Sequence, residues 1–163
     1  MYSISDIRVG TGYDVHRFAD NRKCIIGGVC IPFEKGLLGH SDADVLIHAV
    51  VDALLGASSL GDIGRLYPDN ESINKDISSR LILREVSARL AEAKWQIINI
   101  DSVVICEKPK ISPYVDAMKK AMAEDLSIDY DRISVKGKTT EKLGFTGREE
   151  GVAATASALI CRI

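Results

Sequence analysis

His40-Ser-Asp-Ala-Asp-Val-Leu-Ile-His-Ala-Val-Val-Asp-Ala-Leu-Leu-Gly-Ala-Ser-Ser-Leu-Gly-Asp-Ile-Gly64 reads as a helix with chemistry at its start and along one side. Ser41 and Asp44 fit a Ser-x-x-Asp capping pattern ahead of an apolar run. Asp42 and Asp44 place negative charge on the first turn, where the helix dipole favours it. Val45, Leu46, Ala49, Val50, Ala53 and Leu54 recur at one-turn spacing and predict a buried stripe. Gly56 is the expected stop. His48 falls inside this helix, one turn from Asp44 and one turn from Asp52, so a carboxylate is in reach on either side.

Two readings of His48 stand side by side. One is a half-buried histidine hydrogen-bonded to a carboxylate. The other is a metal ligand whose second ring nitrogen is held by such a carboxylate. The second gains weight from Asp14-Val15-His16, which follows the short run Ile7 to Tyr13. Residues two apart on a strand face the same side, so Asp14 and His16 can share an ion with His48. Two imidazoles and one carboxylate leave a fourth position open, as in catalytic zinc-type sites. All three histidines of the chain lie between residues 16 and 48, which favours a common site.

The 163 residues are expected to fold as one domain, residues 1–163. A net charge of −2 provides no basic footprint for nucleic acid, so an anionic ligand needs a local pocket or metal ions. No apolar run has membrane-spanning length, and no secretory signal is visible. The expected compartment is cytoplasmic, or a plastid-type organelle if a transit peptide was removed. Cys24, Cys30, Cys106 and Cys161 form no Cys-x-x-Cys pair and are expected reduced. A Cys24–Cys30 bridge across the hairpin that turns at Gly27-Gly28 is the alternative.

The rest of the chain predicts strands at 7–14, 95–106, 133–138 and 152–162, and a hairpin at 23–26 and 29–33. Helices are expected at 78–94 and from Pro113 to about Leu126, a polar loop at 17–23, and a long loop with a short turn of helix at 57–75. The simplest packing is an α+β arrangement: a mixed four-stranded sheet plus the small hairpin, with helices on one face.

Gly-Tyr-Asp-Val-His (12–16), Gly-His-Ser-Asp-Ala-Asp-Val (39–45), Gly-Asp-Ile-Gly (61–64), Pro-Asp (68–69) and Thr-Thr-Glu-Lys-Leu-Gly-Phe-Thr-Gly-Arg (139–148) together resemble the 2-C-methyl-D-erythritol 2,4-cyclodiphosphate synthase family. The resemblance implies a ferredoxin-like or chorismate-mutase-like fold assembled as a homotrimer, with active sites between subunits. It implies conversion of 4-diphosphocytidyl-2-C-methyl-D-erythritol 2-phosphate to the cyclic diphosphate and CMP, in the non-mevalonate isoprenoid pathway.

By the same resemblance, Asp14, His16 and His48 hold a zinc-like ion, and Glu141 holds magnesium or manganese. His40 and Ser41 contact phosphate and the sugar-like portion, in keeping with the anion-binding start of a helix. Asp62 meets the ribose, Ile63 and Gly64 also contact substrate, and Asp69 meets the methylerythritol hydroxyls. The turn from Cys106 to Ile111, Lys110 included, cradles cytosine by its backbone. Lys138, Thr139 and Thr140 lie by the α-phosphate, although Lys138 stands where threonine is common. Phe145 is a substrate contact, Arg148, with Glu150, marks the end of a central channel that takes a prenyl diphosphate, and Tyr13 replaces the phenylalanine usual near it; on residues alone Phe145 and Arg148 read as a loop anchor and a surface ion pair. On residues alone, Thr139-Thr140-Glu141 reads equally as a helix cap followed by a first-turn acid. A metal-dependent phosphohydrolase and a non-enzymatic prenyl-diphosphate module are the competing readings.

Overall fold

A computed structural model describes residues 6–68 and 76–163. The strands are β1 (Ile7–Ala19), β2 (Cys24–Ile26), β3 (Val29–Ile31), β4 (Gly36–Leu37), β5 (Trp95–Ile105), β6 (Ile133–Lys138) and β7 (Gly151–Arg162). The helices are α1 (Val45–Ser58), α2 (Ile63–Leu66), α3 (Ser79–Glu92), α4 (Val115–Leu126) and α5 (Gly144–Gly147). The main sheet runs β4-β1-β7-β5-β6. It is mixed, because β5 and β6 are parallel while the other neighbours are antiparallel.

The sheet has five strands, not the expected four. The addition is β4, whose two residues pair with Phe18 and Ala19 at the far end of β1. A two-residue strand has no alternation to read. It exists because β1 runs past residue 14 to Ala19, through what the sequence reads as polar loop. This extension keeps His16 on regular strand, paired opposite Val152.

One face of β1 carries Gly10, Gly12, Asp14 and His16 in alternation, and α1 packs on that face. A Cβ on Gly10 would stand 2.0 Å from the Ala53 carbonyl oxygen, and one on Gly12 1.9 Å from that of Ala49. Glycine on the strand and alanine on the helix therefore bring two backbones together. Asp14 and His16, next along the same face, meet α1 where it offers His48 in place of alanine. The neighbouring strand supplies small residues for the same contact, Ala154, Ala156 and Ala158, all buried.

Two expectations about α1 are corrected. Its side-chain cap is Asp44, which accepts from the Ile47 amide, rather than Ser41. The helix also passes through Gly56 and ends at Ser59, in the left-handed region. Ala57 and Ser58 are buried beyond that glycine, so packing overrides its weak propensity. The hairpin forms as expected, with Gly27 and Gly28 both at positive φ in the turn. Cys24 is buried and Cys30 exposed, and all four cysteines are free thiols, so the bridge is not formed.

Candidate metal and substrate site

Asp14 Oδ2 lies 2.9 Å from His16 Nε2 and 3.0 Å from His48 Nδ1, and the two ring nitrogens are 3.2 Å apart. These side chains are 25%, 17% and 11% exposed, at the floor of a cavity of about 270 Å³. The distal nitrogen of each ring is tethered. His16 Nδ1 faces the Leu38 carbonyl at 2.8 Å. A carbonyl only accepts, so Nδ1 carries the proton and leaves Nε2 bare toward Asp14. Gly39 leaves room for this ring, since a Cβ there would meet His16 Cε1 at 3.0 Å. His48 Nε2 faces the Ser79 hydroxyl at 2.9 Å and the Ser41 hydroxyl at 3.2 Å.

Three acceptor atoms pointing at one place need a positive charge between them. Tetrahedral zinc with nitrogen and oxygen ligands sets neighbouring donors about 3.3 Å apart. The spacing seen here fits such an ion, and the three residues form the one group of this kind among the described residues. Without metal, protons serve the same purpose. Burial pushes the Asp14 carboxyl up, but hydrogen bonds and charge from His16 and His48 outweigh it and hold it well below the ordinary range. Burial pushes His16 down, and Asp14 more than restores it, so its imidazole stays protonated above the usual pH.

The cavity walls include His40, Ser41, Ile63, Gly64 and Tyr67. Asp62 stands beside them as the N-cap of α2 and accepts from the Arg65 amide at 3.0 Å. Asp52 does not reach His48 by hydrogen bond; it accepts from the Ile63 amide at 2.8 Å and fixes the start of α2. Asp44 is equally unavailable. Burial pushes its carboxyl up to about 6, against three N–H donors from Gly27, Gly28 and Ile47. Asp69 lies outside the described residues.

The remaining expected residues gather elsewhere. Cys106, Lys110, Lys138 and Thr139 line a second cleft of about 440 Å³ at the β5–β6 end of the sheet. Ile111 packs on Gly137 at its base. Cys106 is buried there, its thiol pushed up to about 12 by burial, which makes it a wall rather than a nucleophile. Glu141 is exposed and accepts from the Thr139 hydroxyl at 2.7 Å. Thr140 shares a hydrogen bond with Thr146. Phe145 lies on α5, and Arg148 donates to Glu150 at 2.7 Å. Tyr13 projects from the sheet face opposite α1, 56% exposed.

Sequence reasoning passed over two residues. Ser79 meets His48 from 31 positions away, and nothing local marks it. Glu107 accepts from the Thr140 amide at 3.0 Å and the Lys142 amide at 3.2 Å, and so shapes the turn that carries Glu141. Glu141 and Lys142 both hold positive φ in that turn, a conformation that only a tethered loop sustains.

The model of the YgbB family matches residues 7–161. The 2-C-methyl-D-erythritol 2,4-cyclodiphosphate synthase of Caldicellulosiruptor bescii is 59% identical over 154 residues, covering 94% of this chain and 98% of the relative. That of Paraburkholderia phymatum is 55% identical over 158 residues, covering 97% and 99%. Among solved structures, the bifunctional IspDF of Campylobacter jejuni superposes with a TM-score of 0.94 at 42% identity, over 100% of this chain and 43% of that one. IspF of Plasmodium falciparum, solved as a CDP complex, superposes with a TM-score of 0.85 at 36% identity, over 98% and 99%.

Proposed function

The chain belongs to the YgbB family, and from that premise we propose how its residues divide the work of a cyclodiphosphate synthase. The reaction converts 4-diphosphocytidyl-2-C-methyl-D-erythritol 2-phosphate to 2-C-methyl-D-erythritol 2,4-cyclodiphosphate and CMP, in isoprenoid biosynthesis. The 2-phosphate attacks the β-phosphorus of the same molecule, and CMP leaves. Nucleophile and electrophile arrive already joined, so the protein supplies no bond-forming side chain. It bends the substrate and neutralises phosphate charge.

The observation that carries this reading is the convergence of Asp14, His16 and His48 at the floor of a cavity walled by His40 and Ser41. These three residues would hold a zinc-type ion. Bound there, it supplies Lewis-acid polarisation of a phosphate oxygen and a template for the bent chain. His40 and Ser41, at the cavity wall, receive the phosphate and the methylerythritol portion. Asp62 takes the ribose hydroxyls, and Asp69 the methylerythritol hydroxyls. In the second cleft the backbone from Cys106 to Ile111 reads cytosine. Lys138 and Thr139 face the α-phosphate, and Thr140 holds the turn. Glu141 joins no other metal-binding group among the described residues. Glu141 would give an oxygen ligand to a magnesium or manganese ion, which would supply charge to offset the phosphates.

One subunit does not hold a whole site. β1 and β6 are separated by β7 and β5, which is three strand spacings of about 4.8 Å, or about 14 Å. The metal floor and the nucleotide cleft thus lie toward opposite edges of one sheet. A homotrimer that sets the β1 edge of one copy against the β6 edge of the next completes the site. The sheet face away from α1 exposes Val9, Tyr13 and Val15, apolar area that such an assembly covers. At the end of the resulting channel, the Arg148–Glu150 pair is proposed to receive a prenyl diphosphate, and Phe145 is proposed as a substrate contact. The whole chain is proposed to act as one synthase domain, in the cytoplasm or in a plastid-type organelle. No described helix is long and apolar enough to cross a membrane.

The test is to incubate the purified chain with the diphosphocytidyl substrate in ¹⁸O-water, with and without divalent metal, and to weigh the products. CMP and an unlabelled cyclic diphosphate are expected, only with metal. Labelled inorganic phosphate or methylerythritol phosphates as main products would overturn the reading in favour of a hydrolase.

A further inference from the structure

We propose that Asp42 and Ser79 are positioning residues that set the coordinating face of His48. The proposal rests on the reading that Asp14, His16 and His48 hold a divalent ion. The argument is one of donors and acceptors. Asp42 takes three donors: the Ser79 hydroxyl, the Ser79 amide at 2.9 Å and the Asp44 amide at 3.2 Å. A carboxylate so surrounded only accepts, so the single hydroxyl proton of Ser79 is spent on Asp42. Ser79 Oγ then has lone pairs alone to offer His48 Nε2, 2.9 Å away. Nε2 must donate, and in a neutral imidazole that leaves the lone pair on Nδ1, the atom 3.0 Å from Asp14. Ser41 is compatible with the same polarity at 3.2 Å: its oxygen accepts from the Ala43 amide and keeps a second lone pair toward Nε2.

Helix capping does not account for the Ser79 hydroxyl. The Ser79 amide already has its acceptor in Asp42, which caps α3 from a different segment. The hydroxyl is extra to that cap, and Ser79 is fully buried beside the imidazole. The two segments are further stitched by the Asp42 amide on the Ile77 carbonyl and the Asp76 amide on the His40 carbonyl. His48 is therefore oriented from α3 as well as from its own helix. His16 has the simpler arrangement, its distal nitrogen on one backbone carbonyl.

The test measures Zn²⁺ affinity of the full chain by competition with a chromogenic chelator, together with ring-nitrogen NMR of the zinc-loaded protein. Ser79→Ala is expected to bind zinc about 10- to 100-fold more weakly, the usual cost of losing a group that orients a metal ligand. Ser79→Thr, which keeps the hydroxyl, recovers most of the affinity, and Asp42→Asn falls between. In the loaded wild-type protein, His48 shows zinc on Nδ1 and an exchange-protected proton on Nε2. A folded Ser79→Ala protein with wild-type affinity overturns the proposal while His48→Ala still abolishes binding, which leaves the metal reading intact. Zinc on Nε2 overturns it without any variant, so a Ser79→Ala chain that fails to fold does not shelter it. A wild-type chain that binds no zinc overturns both.

Discussion

The two halves of the candidate site are built by opposite means. The metal floor is half-buried, sits on regular strand and helix, and has both distal ring nitrogens tethered inside the chain. The Thr139–Lys142 turn is largely exposed, holds two residues at positive φ, and is shaped by one carboxylate, Glu107. The first is organised before any ligand arrives, by packing that tolerates little change. The second presents backbone and charge at an edge, open to further partners. Mutations should therefore separate the halves.

The sharpest separation is His48→Ala. It removes one of three ligands from the floor and touches nothing in the nucleotide cleft. Cyclisation is expected to fall by about 10³-fold or more, since electrostatic stabilisation of developing charge is lost. CMP affinity measured by calorimetry stays at the wild-type level. A parallel loss of CMP binding would show that the halves are not independent.

Next in size is Gly12→Val, which attacks the packing beneath the floor. Its side chain would collide with the α1 backbone, already 1.9 Å from the position of a Cβ. A cost of about 3 kcal/mol is expected, at the upper end for overpacking, and with it a fall in Tm of about 6–12 °C. Zinc binding should weaken with stability, because the same contact sets Asp14 and His16 against His48. An unchanged Tm would mean that α1 can lift off the strand, and that the floor is less rigid than the structure implies.

This contrast also explains what the sequence revealed. Asp14 and His16 alternate with Gly10 and Gly12 on one strand, and His48 continues a helical stripe with Ala49 and Ala53. Local periodicity therefore exposes both ligand-bearing faces. The Gly27-Gly28 hairpin was legible for the same reason, as turn chemistry lies within four residues. Ser79 and Glu107 were not legible, because each acts across more than thirty positions of chain and by its hydroxyl or carboxylate alone. β4 escaped because two residues carry no pattern. The α1 boundaries escaped because burial of Ala57 and Ser58 outweighed a glycine, and because Asp42 caps α3 rather than the helix it precedes. The roles proposed for Thr139, Thr140 and Glu141 rest on family resemblance, since an exposed loop with a cap-like sequence has no physical signature of phosphate binding.

Glu107→Ala tests the exposed half by itself. It strips the acceptor from two amides of the turn, at about 1–3 kcal/mol for the groups left unpaired, less where water replaces it. The turn relaxes, Glu141 loses its fixed position, and kcat is expected to fall about tenfold, since one misplaced group costs on that order. Zinc affinity should not move. Loss of zinc alongside kcat would show that the turn and the floor communicate within one chain.

The smallest effect is in pH, and it belongs to the floor alone. In the metal-free chain His16 is held above its ordinary value by Asp14, so its contribution to stability is full below about pH 6.5 and is lost as pH rises through the folded value. Asp14 is held far below the usual carboxylate value of 3.8, so its contribution is present above that pH and is lost only as acid reaches the depressed folded value. The chelated chain should accordingly lose Tm above about pH 6.5. The zinc-loaded chain should not, because the ion takes the place of the proton between the same three atoms. The gap in Tm between loaded and chelated protein thus widens with pH, and His16→Gln removes the alkaline slope of the chelated form. A constant gap across that range would mean that the charge joining Asp14 to His16 is not shared between proton and metal, and the floor would lose the feature that most distinguishes it from the exposed turn.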